Sequence, residues 1–185
     1  MDNTKIINNS YKQKLIEINK FLLENTITLQ RLVIMLVGNV LLSDDGIGPL
    51  VYQELKNSGF KHPSVLLINA ELNPENYFKT ILEFKPSHVI IIDAIEANLE
   101  PGTLIFFQND EIEDKLFSQP STHMISLLNI NNYLLEKNLN LLILNIGIQI
   151  KSTDFGVNVI DSNVKEIAMN LSEYLTRILF SLFNK

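Results

Sequence analysis

The sequence contains no cysteine. That excludes disulfides, thiolate-bound metals and a cysteine nucleophile together, and it fits a reducing, cytoplasmic setting. It has no long basic run either. Its 21 acidic residues outnumber 15 basic ones, for a net charge of −6. Phosphate binding needs a Lys/Arg footprint, so nucleic acid is not an expected partner. No apolar run approaches the ~20 residues of a membrane span. The longest are interrupted at Gly38-Asn39 and at Asn145, so membrane insertion is not expected. The start, Met1-Asp2-Asn3-Thr4-Lys5, has no apolar stretch behind a basic segment, and no secretory signal is expected. Internal repeats, linkers and low-complexity tracts are missing as well. So are the serine elbow G-x-S-x-G, the zinc-protease H-E-x-x-H, the Walker loop and the G-x-G-x-x-G spacing.

What is present is globular. The chain has 185 residues, 46% apolar and 19% charged, enough for one domain with a substantial core. Tyr11, Leu15, Ile18, Leu22 and Leu23 recur at helical spacing and predict an amphipathic helix over about Asn9–Glu24, packed on the domain. Continuous apolar runs bounded by turn residues predict buried strands at Arg31–Val37, Val65–Ala70, His88–Asp93 and Leu141–Ile150, with a shorter one at Thr103–Phe107. Helices are predicted over Ile47–Lys56, ended by Gly59, and over Pro74–Glu83, Thr122–Lys137 and Ser162–Phe183. This alternation means parallel βαβ units. The expected fold is α/β: a three-layer α/β/α sandwich with a twisted, mostly parallel sheet. A helical N-terminal extension (1–30) precedes the main domain (31–185).

Doubly wound sheets bind ligands outside the carboxyl ends of their strands, where the strand order reverses. In the order 2-1-3, the loop after the first strand and the end of the third share one crevice. That loop is Gly38-Asn39-Val40-Leu41-Leu42-Ser43-Asp44-Asp45-Gly46, and the third strand ends at Asp93. His123, at the start of a helix, could join them. Two carboxylates and an imidazole form a donor set suited to an open metal site. Blander roles compete. Asp44 or Asp45 would equally cap the following helix. Gly38, Gly46 and Gly48 would serve tight turning alone. Asp93, at a strand end, would serve as an ordinary ribose or water ligand, and a lone His123 would pack or cap. His62 and His88 read as surface residues. Glu71, Glu75 and Glu96 read as solvated groups near the crevice.

Four segments in order resemble one family. Gly38-Asn39-Val40-Leu41-Leu42-Ser43-Asp44-Asp45-Gly46-Ile47-Gly48 is similar to the G-N-x-L-x-x-D-[DE]-G-x-G signature of the [NiFe]-hydrogenase maturation endopeptidases. Ile92-Asp93-Ala94 with Pro101-Gly102 resembles the family's V-D-A…P-G segment. Ser121-Thr122-His123 resembles its [ST]-T-H, and Gly147-Ile148-Gln149 its G-I-Q. The Asp-Asp-Gly form resembles the hydrogenase-3-type branch. The resemblance implies a monomeric, metal-dependent endopeptidase that removes the C-terminal peptide of a hydrogenase large-subunit precursor after nickel insertion. It implies Asp45, Asp93 and His123 as metal contacts, with Asp45 and Asp93 also catalytic, and Asp44 orienting the loop. No cofactor is permanently bound; the nickel belongs to the substrate, with zinc or cadmium as surrogates.

Some positions depart from the family. Asn69-Ala70-Glu71-Leu72 stands where a Gly-Gly pair is frequent, and Ile150 where proline is. Two other functions stay open at this stage. One is a module that docks on the large subunit without cutting. The other is a nucleotide-binding α/β protein, disfavoured because Asp44 and Asp45 repel phosphate.

Overall fold

The computed structural model describes residues 14–23, 28–108, 122–138, 140–156 and 159–183; the side chains of 122–124 stand outside the described set. In chain order the elements are helix α1 (residues 14–23), strand β1 (Leu32–Val37), a 3-10 turn (Ser43–Gly46) and α2 (Ile47–Asn57). Then come β2 (Val65–Glu71), a second 3-10 turn (Pro74–Tyr77), α3 (Phe78–Phe84), β3 (His88–Ile95) and β4 (Leu104–Gln108). The last three are α4 (Thr122–Lys137), β5 (Leu142–Gln149) and α5 (Ser162–Phe183). The five strands form one sheet in the order β2-β1-β3-β5-β4, parallel except for β4, which runs antiparallel to β5.

The period of two along each strand sorts side chains into two cores. Leu32, Ile34, Leu36, Ile90, Ile92, Leu144 and Ile146 face α1, α2 and α5. Val33, Met35, Val89, Ile91 and Ile143 face α3 and α4. Every residue of β1 and β3 is buried, which is why both read as unbroken apolar runs. The α/β/α sandwich is the expected one. No described helix is long and apolar enough to cross a membrane.

Helix α1 packs on the domain. Leu15, Ile18, Phe21 and Leu22 are buried in the same core as β1. Asn19 Nδ2 donates to the Tyr174 hydroxyl on α5 at 2.7 Å, and Lys14 Nζ reaches the Leu104 carbonyl. Phe21 belongs to the buried stripe and Leu23 is exposed, which corrects the expected face by one position. Tyr11, with the rest of 9–13 and Glu24, lies outside the described residues.

His88 is a second correction: it is fully buried, not at the surface. Phe21 of α1 lies edge-on against its ring at 5.2 Å, covering the entrance of β3. Its Nδ1 meets Ser87 Oγ at 2.9 Å. His62 is half-buried, with its ring 5.1 Å from that of Phe183. Burial pushes the His88 imidazole down to about 4 from an ordinary 6.5. Between those values the unfolded chain takes up the proton and the folded chain does not, so stability falls as pH falls through that window. Allowing for relaxation around the ring, this group should cost about 2 kcal/mol between pH 7 and pH 4. His88→Leu should lose that component, and urea midpoints of both proteins across this range measure it. Parallel curves would show that the ring does not titrate between folded and unfolded states.

Candidate functional site

The first loop folds back on the strand it leaves. Gly38 has φ 143°, and a Cβ there would lie 2.0 Å from the Asp45 carbonyl oxygen. A Cβ on Gly48 would lie 1.9 Å from the Val37 carbonyl oxygen. Glycine is therefore needed at 48 for close approach of α2 to β1, beyond the turning expected of it. The Asn39 amide donates to the Asp45 carbonyl at 3.0 Å and to Asp45 Oδ2 at 3.1 Å. The 3-10 turn packs against β3.

Three consecutive side chains in that turn serve different ends. Ser43 has φ 33°, a left-handed conformation strained for a non-glycine residue. Its hydroxyl donates to the Asp154 carbonyl at 2.8 Å. Asp44 is 1% exposed, and its carboxylate accepts three backbone N–H groups: Lys151 at 2.8 Å, Ser152 at 3.1 Å and Asp161 at 2.6 Å. Asp45, 3% exposed, turns back to Asn39. Neither aspartate caps α2, whose N-cap is Gly46 with no side-chain cap bond. Asp44 instead holds both ends of a strap, residues 151–156 and 159–161, against the loop. Lys151 Nζ closes the same end by pairing with Asp161 at 2.8 Å, and this hydrogen bond holds the Asp161 carboxyl below its usual range.

Asp93 is 1% exposed and pairs in register with Gly147 of β5. The strand's alternation puts it on the face of Val89, Ile91 and Ile95, the face α4 covers. His123 stands in the first turn of α4. Its side chain, and all of Ser121, lie outside the described residues. Among the described residues no group of three His, Asp or Glu could hold a metal. Of the expected set, Asp45 is a buried carboxylate in the loop after β1, and Asp93 is one within the adjacent parallel strand β3, two residues before its end. Glu71, Glu75 and Glu96 are exposed, as expected.

Gln149 has a role that residue type alone did not suggest. Its Oε1 accepts from the amides of Ala97 (2.8 Å) and Leu99 (3.2 Å), and its Nε2 donates to the Ile150 carbonyl at 2.7 Å. It braces the chain leaving β3 just beyond Asp93. Its place in Gly147-Ile148-Gln149 was the one available signal. Glu71 adopts φ 51° in the segment where the resembling family often has glycines, a conformation glycine reaches with less strain.

The model of the HycI hydrogenase maturation protease family matches residues 49–178, a span that includes Asp93 and His123 and begins just after Asp45. An inferred hydrogenase maturation protease of Methanocaldococcus jannaschii is 33% identical over 142 residues, 74% of this chain and 82% of that protein. The hydrogenase 3 maturation protease of Escherichia coli is 30% identical over 105 residues, 57% of this chain and 62% of that one. The crystal structure of the [NiFe]-hydrogenase maturation protease HycI from Thermococcus kodakarensis superposes with a TM-score of 0.71 at 34% identity, covering 82% of this chain and 93% of that one. With the same sandwich and a family match over most of its length, the chain belongs to the hydrogenase maturation proteases and is a peptidase.

Proposed function

We propose that this peptidase removes the C-terminal peptide of a [NiFe]-hydrogenase large-subunit precursor in the cytoplasm, once nickel is in place, and that Asp45, Asp93 and His123 contact that nickel. The reading is carried by two buried carboxylates, Asp45 in the loop after β1 and Asp93 near the carboxyl end of β3. A carboxylate at that depth has lost most of its hydration, and a divalent cation offers strong compensation. Carboxylate oxygen and imidazole nitrogen both suit such a cation. The metal arrives with the substrate, so no resident cofactor is required. A precursor lacking nickel then loses the contacts that seat it, and docking becomes a test of metal insertion. Asp45 and Asp93 serve in turn as metal ligand and as the base that takes a proton from an attacking water.

A processing assay with nickel-loaded and metal-free precursor tests this. The loaded precursor should shorten and the metal-free one should persist. Equal processing of both would overturn metal recognition while leaving the peptidase assignment intact.

A further inference from the structure

The strap held by Asp44 carries an exposed phenylalanine. Phe155 is 79% exposed. An exposed aromatic ring on a loosely held loop can fold down onto the protein surface. Phe155 is denied that freedom, because the backbone on both sides of it is fastened to the loop that carries Asp45. On one side Ser43 Oγ donates to the Asp154 carbonyl at 2.8 Å. On the other, the Gly156 amide donates to the Leu41 carbonyl at 2.9 Å, the Ser43 amide donates to the Gly156 carbonyl at 3.2 Å, and Leu42 and Gly156 form a parallel bridge. Leu41 and Val159, at 46% and 64% exposure, extend the same apolar edge. Val159 N also donates to the Gly156 carbonyl at 3.3 Å.

A held, solvated aromatic with aliphatic neighbours has the character of an interface anchor. Its occupant follows from position. The enzyme is a peptidase, so a polypeptide must reach its site. The edge is joined by hydrogen bonds to the very loop that bears Asp45.

We propose that Phe155, flanked by Leu41 and Val159, is a specificity-determining contact that binds an apolar stretch of the precursor polypeptide beside the bond to be cut. This rests on the function proposed above. The strap is then a preformed half of the substrate cleft, and Asp44 and Ser43 are positioning residues that act through it.

The test measures KM and kcat for processing of nickel-loaded large-subunit precursor by the enzyme and its Phe155 variants, with Asp45, Asp93 and His123 unsubstituted. Phe155→Ala should raise KM about tenfold with kcat little changed, and Phe155→Leu should recover most of the loss. Phe155 is exposed, so both variants should melt with the parent. An unchanged KM for Phe155→Ala would overturn this proposal alone. Uncut precursor in the presence of the unsubstituted enzyme would overturn the function reading and this proposal with it.

Discussion

Asp45→Asn and Asp93→Asn should each slow processing of nickel-loaded precursor by about a thousandfold or more while leaving the fold intact. The substitution keeps size and shape and removes the charge. An amide oxygen can still accept the bond from the Asn39 amide that Asp45 Oδ2 accepts now. A neutral amide is a far weaker ligand for a divalent cation and cannot serve as a base at neutral pH. Both side chains are almost fully buried, and thermal melts separate a loss of rate from a loss of fold. His123→Ala should lower the rate in the same direction. Rates come from the loss of full-length precursor over time, with thermal melts alongside. Processing at the native rate by either aspartate variant would remove that residue from the site.

Asp44→Ala should show the opposite signature: a large loss of stability. Three backbone amides, of Lys151, Ser152 and Asp161, lose their acceptor at once. Bonds to a charged acceptor are among the stronger ones, and buried donors left without partners add their own penalty. A cost of about 3–4 kcal/mol is expected, or roughly 10 °C in melting temperature for a chain of this size. Asp44→Asn should cost about half as much, since one oxygen can still accept two of the three bonds. Denaturant titrations of the three proteins measure the series. An unchanged midpoint for Asp44→Ala would mean that the strap does not depend on this carboxylate.

Adjacent aspartates with opposite fates show where sequence reasoning stops. Strands β1 and β3 were legible because burial on both faces demands unbroken apolar runs. The neighbouring of β1 and β3 was legible because parallel βαβ units allow few strand orders. Nothing local says that Asp44 would bond to residues over a hundred positions away, so a helix cap was an equally good account of it. His88 failed for a similar reason. A histidine before an apolar run looks like a strand mouth in water, and only the packing of α1 reveals that Phe21 closes over it. The antiparallel direction of β4 was invisible too, since five residues at a sheet edge carry no sign of orientation. His123 was located by its motif and by α4, and Asp93 lies on the face that α4 covers.

The clamp at Asp44 also bears on when the enzyme becomes competent. It joins positions 107, 108 and 117 residues apart. Contacts between neighbouring segments can form early, while pairings across such spans wait for the chain between them to be ordered. Strands β1, β2 and β3 come from the first 95 residues and can find one another during synthesis. The cleft edge cannot close until β5 and the segment after it have emerged and docked. A partly made chain would thus hold both aspartates in sequence yet have no completed substrate wall, which ties proteolytic competence to the end of folding.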